Sequence, residues 1–99
     1  IINVHPSLLP AFKGSTNAQK DAFEYGCKVS GVTIHFVTSD LDGGQILYQE
    51  AVDISACCSI DEVSKKILEV EHNAYKKVVH SFSEGSYLIN GKRANFILR

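Results

Sequence analysis

The chain has 99 residues, 44% hydrophobic and 21% charged, which is enough for one small globular domain with a single core and too few for two. Its formal net charge of -1 leaves no electrostatic footprint for a nucleic-acid backbone or an anionic membrane surface, so a small molecule or another protein is the expected partner. Cys27, Cys57 and Cys58 form no CxxC pair and cannot all pair with one another, which fits a reducing compartment, the cytoplasm by default; no apolar run reaches the roughly 20 residues of a membrane-spanning helix.

Ile1, Ile2 and Val4 read as a buried strand, and Pro6 must end its hydrogen-bond ladder. The chain opens inside this strand without a Met, so a larger fold with a part missing on the N-terminal side is expected. Asn3 and His5 fall at the strand's C-terminal end, where ligands collect in open α/β sheets, and two residues apart they point to the same side. An amide donor and an imidazole so placed could address one carbonyl oxygen as it becomes an oxyanion. The same pattern also fits Asn3 as a turn cap and His5 as a core histidine bonded to a backbone group.

Gly14-Ser15-Thr16-Asn17 supplies turn and N-cap chemistry for a helix of about ten residues, with Ala18, Ala22 and Tyr25 on one face and Gly26 as its stop. Gly31 to Val37 is rich in β-branched and aromatic residues and predicts a strand, Val32, Ile34 and Phe36 on one face, Thr33, His35 and Val37 on the other. That second face is half polar, as suits a strand bordering a cleft. Turn formers fill residues 38 to 44, where Gly43 and Gly44 allow a positive φ or close approach to a flat ligand; an ordinary connecting loop fits equally.

Gln45 to Ile54 predicts an extended strand with a bend near Glu50 and Ala51. Ser59 and Glu62 then form a capping-box pattern for a helix from about residue 60 to about 82, ending near Gly85. Its apolar face runs Ile60, Val63, Ile67, Ala74, Val78 and Phe82, interrupted by Glu71, a carboxylate at the margin of the stripe or facing a cleft. Asn90-Gly91 between Tyr87-Leu88-Ile89 and Ala94 to Leu98 predicts a closing antiparallel ribbon. The element order predicts an α/β fold, a mixed, mostly parallel sheet flanked by helices.

Chemistry-bearing patterns are few. His72 and His80 are too far apart on one helix to share an ion, and His5, His35 and Asp42 lack ligand spacing, so no metal is expected. There is no nucleophile elbow around Ser7 and no glycine-rich phosphate loop. What remains is Asn3, His5 and Asp42, each at a strand mouth or in the loop beyond it. A carboxylate near an imidazole holds its charged form, making a general acid that could protonate a tetrahedral intermediate. Spacing alone does not bring Asp42 to His5.

These segments, Asn3-Val4-His5-Pro6-Ser7-Leu8-Leu9-Pro10 with Lys13-Gly14, Gly31 to Val37, Leu41-Asp42-Gly43-Gly44-Gln45-Ile46, and Glu71-His72 with Tyr75, resemble the folate-dependent formyltransferase family, in particular its glycinamide ribonucleotide branch. The resemblance implies the C-terminal part of a single Rossmann-like formyltransferase domain over residues 1–99, whose N-terminal half is the missing partner. It implies formyl transfer from 10-formyltetrahydrofolate to the amine of glycinamide ribonucleotide in purine biosynthesis. By position, Asn3, His5 and Asp42 would be catalytic; Asn3, Thr38, Ser39, Asp40, Leu41 and Asp42 would bind the folate; Pro6 and Glu71 would contact the ribonucleotide. Gln45 and Lys76 stand where prolines are frequent, and Asn17 and Gln19 lie near the point where many members place a histidine. A formyltetrahydrofolate deformylase typically has a second histidine where Pro6 stands, and a methionyl-tRNA formyltransferase an arginine before the glycine. A non-catalytic folate-binding module would have no need of the His5–Asp42 pair.

Overall fold

The structure, a computed structural model, describes residues 1–38 and 43–99. Its elements are β1 (Ile2–His5), α1 (Ala18–Tyr25), β2 (Val29–Phe36), β3 (Ile46–Asp53), α2 (Ile60–Glu84), β4 (Gly85–Asn90) and β5 (Arg93–Leu98). The strands form one five-stranded sheet in the order β1-β2-β3-β5-β4. This is the expected α/β architecture with a mixed sheet and a terminal hairpin.

The expected parallel majority is not found among the described residues: only β3 and β5 run parallel, while the other neighbours are antiparallel. The connections explain it. The loop after β1 and the short α1 return the chain to the end of the sheet it left, so β2 runs back along β1. After α2 the chain enters β4, which runs opposite to β3, and the hairpin between β4 and β5 then reverses it so that β5 lies parallel to β3.

The core follows the two periodicities. Val32 and Ile34 of β2 and Val52 of β3 meet Ala22 of α1 and Val63, Ile67, Ala74 and Val78 of α2 in a single cluster. The small residues of α1 are buried as expected, but Tyr25 is 85% exposed, because the last residue of the helix projects past the edge of the core. Gly26 closes α1 in the left-handed region at φ 86°. On α2, Glu71 is half-buried and Phe82 36% exposed, so the buried stripe is narrower than the periodicity predicts.

Ser59 caps α2: its side chain accepts the Glu62 N–H at 3.2 Å, while the Glu62 carboxylate accepts the Cys58 N–H at 2.7 Å. The reciprocal pair is a capping box with the glutamate reaching one residue further back. In β3 the irregularity lies not at Glu50 and Ala51 but opposite Ile34 and His35, where the register shifts by one residue at Leu47. The Phe36 N–H bonds the Gln45 carbonyl there, and a Cβ at Gly44 would overlap the Phe36 carbonyl oxygen. Gly44 is thus required by the approach of its own chain to β2. The closing hairpin turns at Gly91, φ 61°, and Tyr87 anchors it against Phe36, Phe82 and Phe96.

Cys27, Cys57 and Cys58 are free thiols. No helix among the described residues is long and apolar enough to cross a membrane. Replacing Ser59 by Ala in the complete protein removes the α2 cap and lowers stability by about 1 kcal/mol, read from the urea unfolding midpoint.

Candidate active site

β1 is the end strand of the described sheet, and its register on β2 pairs Asn3 with His35 and His5 with Thr33. Directly paired residues share a face, so Asn3, His5, Thr33 and His35 all lie on the face opposite the Val32–Ile34 core. Asn3 is exposed, whereas His5, Thr33 and His35 are buried. Thr33 and His35 are therefore covered while Val37 is half exposed, and the cover over Thr33 is the segment after Pro6.

That segment is held by its own polar groups. The Ser7 hydroxyl donates to the Ala11 carbonyl at 2.6 Å, and Ala11 N–H to the Leu8 carbonyl at 2.9 Å. Phe12 adopts φ 56°, and its carbonyl accepts from Nε2 of His5 at 3.3 Å. Since a carbonyl only accepts, Nε2 carries a proton in this contact. Likewise Nδ1 of His35 donates to the Phe36 carbonyl at 2.9 Å. Leu8 packs over Gly31, where any Cβ would strike Leu8 and the Glu50 carbonyl.

Beneath the loop, the Thr33 hydroxyl donates to the Ser7 carbonyl at 2.7 Å and accepts the Leu9 N–H at 3.0 Å. Gln49 of β3 adds its side-chain amide, which donates to both Thr33 Oγ1 and the Leu9 carbonyl at 3.0 Å. Gln49 carries no motif signature in the sequence. Its only signal is a polar residue opposite Thr33 in the pairing of β3 with β2.

Glu71 lies elsewhere. With Val4, His72, Tyr75 and Lys76 it lines a cavity of about 420 Å³ beside β1. Val4 is paired with Ile34 and so faces the helices, the side opposite Asn3 and His5. Glu71 and Asn3 therefore lie on opposite faces of the sheet. Burial pushes the Glu71 carboxyl above its ordinary value, partly offset by the neighbouring His72. Half-buried Pro6 follows β1 directly, and exposed Thr38 follows β2. Ser39, Asp40, Leu41 and Asp42 lie outside the described residues. Among the described residues no group of three His, Cys, Asp or Glu side chains is placed to hold a metal ion.

A formyl transferase family model matches residues 1–79. Phosphoribosylglycinamide formyltransferase of Bacillus subtilis is 42% identical over 79 residues, which are 80% of this chain and 40% of that protein. The human trifunctional purine biosynthetic protein adenosine-3 is 40% identical over 94 residues, 93% of this chain and 9% of that one. The crystal structure of glycinamide ribonucleotide transformylase 1 from Symbiobacterium toebii superposes with a TM-score of 0.90 at 42% identity, covering 98% of this chain and 45% of that one. A formyltetrahydrofolate deformylase from Pseudomonas syringae gives 0.89 at 29% identity, over 97% of this chain and 32% of its own. The chain thus spans less than half the length of these relatives.

The raised Glu71 pKa has a definite sign for stability. Below the ordinary carboxyl value the group is neutral in folded and unfolded chains alike; as pH rises through the raised folded-state value, the cost of the buried charge accumulates. Glu71→Gln in the ligand-free complete protein is therefore expected to raise the thermal midpoint at neutral pH. The difference closes below the ordinary carboxyl pKa, which melting curves across pH will show.

Proposed function

Since this chain belongs to the formyl transferase family, we propose that the complete protein transfers the formyl group of 10-formyltetrahydrofolate to the amine of glycinamide ribonucleotide, a step of purine biosynthesis. In this reading residues 1–99 are the C-terminal part of one formyltransferase domain acting in the cytoplasm. The observation that carries the chemistry is the pairing of β1 with β2, which sets an amide and an imidazole on one face at the mouth of a strand.

The amine attacks the formyl carbon, the C–N bond to the folate breaks, and the attacking nitrogen gives up a proton while the folate nitrogen gains one. Negative charge builds on the formyl oxygen during attack. Asn3, whose side chain is exposed, donates its amide N–H to that oxygen as charge develops. His5 in its imidazolium form stabilises the same charge and supplies the proton. Its burial beneath the loop removes competing water, which strengthens the interaction.

The remaining roles come from position. Asp42 supports the charged form of His5. Thr38, Ser39, Asp40, Leu41 and Asp42, with Asn3, line the site of the folate. Pro6 and Glu71 contact the ribonucleotide. A carboxylate of raised pKa beside an open cavity, with Tyr75 and Lys76 as neighbours, suits a ligand bearing hydroxyls, whose donors would offset the cost of its partial burial.

The test is the complete protein with 10-formyltetrahydrofolate, with and without glycinamide ribonucleotide. Formylated ribonucleotide is the expected product, and His5→Ala is expected to lose turnover by at least about 100-fold, as for a positioned general acid. Formate released at an undiminished rate without the amine would instead identify a deformylase. Near-normal turnover of His5→Ala would remove the role assigned to the imidazole.

A further inference from the structure

We infer that Gln49, acting through Thr33, is a positioning residue for His5: together they bolt the loop after β1 to the sheet and so fix where the imidazole stands. The Thr33 hydroxyl is saturated, with its one proton on the Ser7 carbonyl and both acceptor sites filled by the Leu9 N–H and the Gln49 amide. Both protons of the Gln49 amide are used as well, on Thr33 Oγ1 and the Leu9 carbonyl. Ser7 to Leu9 is thereby tied to β2 and β3 at three backbone atoms.

The tie reaches His5 from two directions. Upstream, the Ser7 N–H donates to the His5 carbonyl at 2.9 Å, so the residue that Thr33 grips is itself fastened to His5. Downstream, the Ser7 hydroxyl closes the turn on Ala11, and the next carbonyl, that of Phe12, accepts from the His5 ring at 3.3 Å. Thr33 is also the β2 residue paired with His5, so it sets the strand and the loop with one side chain. Loss of the Gln49 amide leaves the Leu9 carbonyl without that donor and loosens the frame that holds the ring, while removing no atom from the site itself.

The catalytic half of this inference rests on the formyl-transfer reading, and the experiment keeps the two apart. In the complete protein, Gln49→Leu, Thr33→Val and Thr33→Ser are compared for kcat, for KM of both substrates, and for the NMR signal of the His5 ring. Gln49→Leu is expected to lower kcat about 10- to 100-fold, the scale of a misplacement near 1 Å, with KM within about three-fold and the ring signal moved. Thr33→Ser keeps the hydroxyl and retains both; Thr33→Val behaves as Gln49→Leu does, and if it fails to fold, Gln49→Leu alone decides. A folded Gln49→Leu protein with unchanged kcat overturns the inference, and so does a fall in kcat with an unmoved ring signal. Should wild-type protein transfer no formyl group, the proposed function falls, and the ring signal of Gln49→Leu still upholds the positioning role by moving or ends it by staying.

Discussion

The antiparallel register of β1 on β2 is the constraint from which the site follows. Side chains alternate along a strand, so a slip of one residue would send Asn3 and His5 toward the helices and Val4 into the polar face. Two features prevent the slip. Ile34 and Val32 are buried in the helix-facing core, and Thr33 and His35 occupy the opposite face, where the Thr33 hydroxyl bonds the Ser7 carbonyl and Nδ1 of His35 the Phe36 carbonyl. Either face alone fixes the register, and the two agree.

The cost of burying polar groups explains how the loop after Pro6 is kept in place. Ser7 and Thr33 are fully buried, and an unpaired hydroxyl or peptide group there would cost about 1–3 kcal/mol each. The arrangement avoids that cost by pairing them with one another and with Leu9 and Gln49. A loop held in this way is as well specified as the strands it covers, as the role proposed for His5 requires. Gly31 contributes by omission: without a Cβ it lets Leu8 lie directly on β2.

The candidate site is divided by the strand that creates it. Asn3 and His5 look to one side of the sheet, while Glu71 and its cavity lie beside Val4 on the other. The helix that carries Glu71 also supplies Val63, Ile67, Ala74 and Val78 to the core, so the carboxylate is borne on a well-packed element and its raised pKa is the cost of that position.

The elements themselves were legible in the chain, because their causes are local. Pro6 stops a ladder, Gly26 permits a left-handed cap, Ser59 and Glu62 satisfy a helix start, and Asn90-Gly91 makes a hairpin wherever it sits between apolar runs. The same-face placement of Asn3 and His5 follows from strand period alone, and the residues that resemble the formyltransferase family lie in a chain that belongs to it. Strand direction, the burial of Thr33 and His35, the exposure of Tyr25 and the place of the β3 irregularity were not legible. They depend on where the chain re-enters the sheet and on what covers each face, which are contacts between residues distant in sequence. Gln49 illustrates the difference: by itself it is one polar residue in a strand, and only the packing of β3, β2 and the loop after β1 brings its amide to Leu9 and Thr33. Sequence determined which residues could do chemistry, and tertiary structure decided which of them meet, because a hydrogen bond acts over about 3 Å whatever the distance along the chain.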